Sequence, residues 1–127
     1  MPLTRIAVPQ HLPISQIRAL ADAVQTGLVS TCNVPVDDCF QLINRFAADD
    51  MLLNPTFGGM NRTKDASIVD ITFLQGRSDD QKRALYRCVT DLAVLAGFKA
   101  DDIMIALLEN AAIDWTVGQG RAFEGHK

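Results

Sequence analysis

The sequence runs through one structural pattern twice, and that repetition limits the folds open to it. Asp37-Asp38 recurs 64 positions later as Asp101-Asp102, and the same offset carries Ala21, Val24 and Leu28 onto Leu85, Cys88 and Leu92. An offset of 65 carries Thr4, Ile6 and Val8 onto Val69, Ile71 and Phe73. Each cycle reads strand, helix, strand. The first strand, LTRIAVP, alternates apolar and polar residues as a half-buried strand does. Helical spacing follows at 14, 17, 20, 21, 24 and 28, and Asn33 and Pro35 end it. Phe40 to Phe46 gives the second strand, with Phe40, Leu42 and Asn44 on one face. The second cycle opens with Ile68 to Leu74 and turns at Gln75-Gly76-Arg77. It re-enters a helix through Ser78 and Gln81, spaced as a reciprocal capping box. Leu85, Cys88, Leu92 and Leu95 form that helix's apolar stripe, and Gly97 suits its C-terminal end. Ile103 to Leu108 is continuous apolar sequence, the pattern of a strand buried on both faces.

A helical crossover makes the strands it joins parallel. Two such β-α-β units give an α/β (α+β) fold: a four-stranded mixed sheet with two helices on one face. At 127 residues this is a single domain, with pseudo-repeats 1–64 and 65–127. Two helices cover only one face. The other carries Leu3, Leu42, Ile68 and Leu74, so a closed symmetric oligomer is expected. The stretch from Ala47 to Asp65, rich in Pro, Gly and Asn, reads as a long loop of the kind often given to function.

Net charge of −3 and a pI near 5.2 argue against nucleic acid or an anionic membrane as partner. The opening MPLTRIAVPQ lacks the charged head and apolar segment of a secretory signal. Cys32, Cys39 and Cys88 form no CxxC pair and read as buried free thiols of a reducing compartment, so a cytoplasmic location is expected. His11 and His126 stand isolated, and no metal-ligand set is present.

The residue with most chemical promise is Pro2. Aminopeptidases generally remove an initiator Met before a small residue, proline included. Removal leaves a secondary amine held in a ring at the start of a strand. An α-amino group titrates at about 7.7–8.0, close to neutral pH, and burial or neighbouring charge tunes it further. Such a nitrogen can accept or donate a proton, or attack a carbonyl, without a cofactor.

With Pro2 in view, the chain resembles the tautomerase superfamily, and within it the malonate semialdehyde decarboxylase subgroup. The resemblance rests on Met1-Pro2-Leu3, Val34-Pro35 with Asp38-Cys39-Phe40-Gln41, and Gly76-Arg77-Ser78-Asp79-Asp80-Gln81-Lys82. It continues through Asp101-Asp102-Ile103-Met104-Ile105-Ala106-Leu107-Leu108-Glu109-Asn110, Asp114-Trp115 and Gly118-Gln119-Gly120-Arg121-Ala122. It implies cofactor-free chemistry on a small oxo-acid substrate, in a homotrimer with proline pockets near subunit boundaries. The catalytic proline falls on Pro2, the assisting carboxylate on Asp38, the substrate-carboxylate arginine on Arg77 and the aromatic wall on Trp115. The decarboxylase pattern has a second arginine where this chain has Gln75, which hydrogen-bonds a carboxylate without charge.

Each assignment has a plainer counterpart. Arg77 could pair on the surface with Asp79 or Asp80, Asp38 could be a solvated turn like its repeat partner Asp102, and Trp115 could serve packing or a subunit contact. Two reactions follow from the resemblance. Neutral Pro2 would move a proton in keto–enol tautomerisation of a 2-oxo acid, the leading reading. Protonated Pro2 would polarise, or form an imine with, the carbonyl of a 3-oxo acid such as malonate semialdehyde while carbon dioxide leaves. Retention of Met1 would make the Pro2 nitrogen a tertiary amide and the protein a non-catalytic scaffold.

Overall fold

A computed structural model describes residues 1–125. The chain forms β1 (Pro2–Pro9), α1 (Ile14–Cys32), β2 (Gln41–Phe46), β3 (Ser67–Leu74), α2 (Asp79–Leu95) and β4 (Ile103–Asn110). The strands form one sheet in the order β2-β1-β3-β4. β1 pairs parallel to β2, and β3 parallel to β4, while β1 and β3 meet antiparallel at the centre. This is the mixed sheet expected of two β-α-β units. The antiparallel seam joins the two repeats back to back.

The alternation within each strand decides which face is dry. Thr4, Ile6 and Val8 of β1 and Val69, Ile71 and Phe73 of β3 are buried beneath the helices. Ile17, Leu20, Val24 and Leu28 of α1 and Leu85, Val89 and Ala93 of α2 complete that core. Each large side chain so buried contributes about 1.5–3 kcal/mol by removing apolar surface from water. The α2 stripe is rotated from the expected one. Val89 and Ala93 face the core, Cys88 and Leu92 lie at its border, and Leu95 is 84% exposed. The reason is the partner: Leu85 and Val89 pack over Gly27 of α1, where the helices approach closely.

The helix boundaries follow local chemistry. Asn33 takes a left-handed conformation (φ 58°) after α1. Ser78 accepts from the Gln81 backbone while Gln81 accepts from the Ser78 N–H, so the capping box is present. Gly97, one residue past the cap of α2, has φ 102°, which disfavours any residue with a Cβ.

Three expectations are corrected. β4 is an edge strand covered on one face only: Ile103, Ile105 and Leu107 pack toward the core, while Met104 is 50% and Leu108 62% exposed. Cys39 is exposed, since it precedes β2 on the surface; only Cys32 is fully buried. His11 is not isolated, because its Nε2 lies 2.6 Å from Asp65 Oδ1. His126 lies outside the described residues. The Ala47–Asp65 stretch holds two short 3-10 turns, Ala48–Asp50 and Phe57–Gly59.

Gly27 gives a stability test. A Cβ there would meet Val89 Cγ2 at 2.8 Å and Leu85 Cδ1 at 3.1 Å. Gly27→Val is expected to lower stability by about 1–3 kcal/mol through overpacking, read as a reduced urea midpoint at unchanged slope.

Candidate active site

Strand direction assembles the site. Because β1 runs antiparallel to β3, the first strand residue, Pro2, lies opposite Phe73 near the end of β3. Because β3 and β4 are parallel, Phe73 lies opposite Glu109. Because β2 is parallel to β1, the segment entering β2 arrives at the same edge, with the Thr4 N–H donating to Phe40 O at 3.0 Å. One end of the sheet therefore holds the chain start, Asp38, the Gln75–Arg77 turn and the end of β4.

Asp38 is buried, with only 7% of its surface exposed. Its backbone is fixed by its N–H donating to Pro35 O at 3.0 Å, and by Gln25 of α1 donating to its carbonyl at 3.2 Å. Its carboxylate oxygens have no hydrogen-bond partner among the described residues. The Met1 ammonium sits 3.3 Å from Oδ2, close enough for charge attraction but without hydrogen-bond geometry. A buried carboxylate left so is costly unless paired. Its repeat counterpart shows the contrast: Asp102, equally buried, accepts from the Thr63 N–H at 2.7 Å and the Thr63 hydroxyl at 2.5 Å. Asp102 closes the loop before β3; Asp38 instead faces the amino terminus.

Pro2 is buried as the first residue of β1. With Met1 attached its nitrogen is an amide.

Arg77 does not pair with Asp79 or Asp80; Asp80 instead engages Arg83. The Arg77 guanidinium lies 5.0 Å over the Phe73 ring, the residue opposite Pro2. Its Nε and one terminal nitrogen donate to Cys32 O at 3.3 and 3.2 Å, and the other terminal nitrogen to Leu74 O at 2.9 Å. These bonds fix the plane while leaving N–H groups at the tip for a ligand.

Gln75 and Trp115 each bond Asn110, the last residue of β4. Gln75 is exposed and its N–H donates to Asn110 O at 2.8 Å. The Trp115 indole N–H donates to Asn110 Oδ1 at 2.5 Å. Asn110 shares the strand face of Met104 and Leu108, away from the helices. The structure thus brings Pro2, Asp38 and Arg77 together at the helix-covered side and sets Trp115 against Asn110 at the open-face side, while Gln75 meets Asn110 through its backbone. A cavity of about 270 Å3 lies elsewhere, under the Ala47–Asp65 loop against Ile68 and Met104.

One pair at this edge has no role in the sequence reading. Glu109 Oε1 meets Lys82 Nζ at 2.5 Å, and Oε2 accepts from the Gly76 N–H at 3.3 Å. The sequence signal was available: a single acid ends the apolar run of β4, and a lysine lies in the first turn of the helix that precedes that strand. The Lys82 hydrogen bond holds Glu109 below the usual carboxylate range, aided by the positive charges of Lys82 and Arg77 and the Gly76 N–H. The same bond raises Lys82 above the usual ammonium range.

Comparison with known proteins places this geometry in a family. Residues 38–118 match the Tautomerase_2 family, described as tautomerase enzymes. The chain belongs to that family. Probable tautomerase YusQ of Bacillus subtilis (strain 168) is 28% identical over 123 residues, covering 96% of this chain and 97% of the relative. Probable tautomerase YrdN of the same organism is also 28% identical, covering 96% and 95%. The crystal structure of FG41 malonate semialdehyde decarboxylase inhibited by 3-bromopropiolate superposes with a TM-score of 0.88 at 29% identity, covering 94% of this chain and 91% of that one. A fused 4-OT symmetric trimer, at 19% identity and TM-score 0.77 over 94% of each chain, shares the fold. Within the tautomerase superfamily the chain stands near the malonate semialdehyde decarboxylase subgroup.

The Lys82–Glu109 pair gives a pH prediction. Glu109 is depressed, so its contribution is complete above its unfolded value of about 4.3 and is lost as pH falls through its lower folded value. Lys82 is raised, so its contribution is complete below about 10.4 and is lost as pH rises through its higher folded value. The Tm difference between the parent protein and Lys82→Met should therefore be greatest from about pH 5 to 10 and shrink on both sides, as thermal melts across pH will show.

Proposed function

We propose that this protein is a cofactor-independent acid–base enzyme acting on small oxo acids through the free amine of Pro2. The observation that carries this reading is the buried Asp38 carboxylate, unpartnered by hydrogen bonds and 3.3 Å from the chain's amino group. A cation at the strand start offsets that buried charge, and a processed Pro2 supplies one that also exchanges protons. Arg77, planar and restrained over Phe73, is the dock for the substrate carboxylate.

In the leading reaction the neutral fraction of Pro2 takes a proton from the carbon beside a carbonyl. The electrons move to the carbonyl oxygen, which takes up a proton, and a 2-oxo acid passes to its enol; the reverse follows the same path. Gln75 supports this reading, since it stands where the decarboxylase pattern carries a second arginine. The placement of Asp38 favours a second reading as well. Its charge stabilises the protonated amine, which donates to the carbonyl of a 3-oxo acid such as malonate semialdehyde as the carbon–carbon bond to carbon dioxide breaks. The structural relatives near 28–29% identity include enzymes of that kind. The apolar open face fits assembly as a homotrimer, and Trp115 then forms a wall at the subunit boundary.

Intact-mass measurement of native protein should show loss of one methionine. Deuterium exchange at C3 of pyruvate, and carbon dioxide release from malonate semialdehyde, report the two reactions by NMR. The enzyme should accelerate at least one, Pro2→Ala should lose about 100-fold or more, and Asp38→Asn should shift the pH profile toward lower pH. Near-normal turnover by Pro2→Ala, or acceleration of neither reaction by processed protein, would overturn the proposal.

A further inference from the structure

We infer that Glu109 is a positioning residue for the substrate-carboxylate anchor, acting through the Gln75–Arg77 turn; this rests on Arg77 being that anchor. The turn is a weak point of the backbone. Gly76 has φ 118°, a region that glycine visits at little cost but also leaves readily. A turn of this kind holds one conformation only if its polar groups are tied from outside.

Glu109 supplies two of those ties at once. It ends β4, whose pairing with β3 fixes its backbone opposite Phe73. One carboxylate oxygen takes the Gly76 N–H at 3.3 Å, directly before Arg77 in sequence. The other takes Lys82 at 2.5 Å, in the first turn of the helix that begins two residues after Arg77. The rigid end of the sheet therefore grips the chain on both sides of the arginine. Gln75 N–H on Asn110 O completes the clamp, and Arg77's own bonds to Cys32 O and Leu74 O then set its tip.

Simple electrostatics predicts the opposite effect of losing Glu109. Its negative charge stands near the guanidinium and repels an arriving carboxylate. Removing it should then tighten binding, unless holding the turn matters more. The two bonds, both accepted by an ionised carboxylate, favour positioning.

The test measures pyruvate and its neutral methyl ester with the processed full-length protein, by NMR titration for Kd and by C3 deuterium exchange for KM and kcat. Glu109→Ala should raise Kd and KM for pyruvate about tenfold with kcat within about twofold, and leave methyl pyruvate within about twofold. Glu109→Gln, whose amide oxygen still accepts from Gly76, should recover most of the affinity. In an Arg77→Ala background, Glu109→Ala should add nothing, because it acts only through that side chain. An unchanged or lower pyruvate Kd in Glu109→Ala, a loss in Glu109→Gln as large as in Glu109→Ala, equal losses for acid and ester, or an additive loss on top of Arg77→Ala would each overturn the inference. If Arg77→Ala weakens pyruvate while Glu109→Ala does not, this inference fails alone. If Arg77→Ala itself leaves pyruvate unchanged, the anchor reading beneath it has failed.

Discussion

A carboxylate buried without a hydrogen bond is the constraint around which the rest of this edge is arranged. Water would solvate such a group far better than apolar side chains do, so its burial must be offset by charge. At Asp38 the offset comes from the start of the chain. That arrangement is possible only because β1 begins at the sheet end where the chain turns into β2. The group that lies against Asp38 is an amine, whereas Arg77 is engaged by two carbonyls of its own chain.

The duplicated architecture supplies an internal control. Both halves place an aspartate just ahead of the strand that follows the helix, and both bury it. In the second half the preceding chain is a loop, and Thr63 satisfies Asp102 with backbone and hydroxyl together. In the first half Asp38 meets the Met1 ammonium instead, and its oxygens accept no hydrogen bond among the described residues. The same fold position is thus a structural staple in one repeat and an open carboxylate in the other. The partner each aspartate meets, not residue type, makes the difference.

This explains what was legible in the sequence. The order of elements and the two-helix, four-strand layout follow from periodicity, since alternation and helical spacing are local properties. The capping box at Ser78 and the glycine after α2 were readable for the same reason. What depends on partners was not. The α2 stripe turned because Gly27, far away in sequence, lets Val89 approach. Ile103–Leu108 reads as doubly buried, yet its position at the sheet's edge leaves Leu108 bare. Asp38 and Asp102 looked equivalent, because the residue that separates their roles, Thr63, lies in a stretch without periodicity. Pro2, Arg77, Gln75 and Trp115 could be named from motif resemblance, but not the division of this edge into a helix-covered half and an open-face half.

That division bears on how a pocket is closed. Pro2, Asp38 and Arg77 are roofed by the chain's own helices, whereas Asn110 and Trp115 look out from the uncovered sheet face. Leu42, Met104 and Leu108 are half or more exposed on that same face, on its two edge strands. Whatever buries the β4 side of the face must also press on Trp115, because it stands at its border. A second copy of the chain meets this requirement with matching chemistry, apolar against apolar, and would turn an open rim into an enclosed wall. Surface substitutions on the open face should accordingly act on whatever covers it, and substitutions at Asp38 on the burial of charge at the strand start, because the two lie on opposite sides of one sheet.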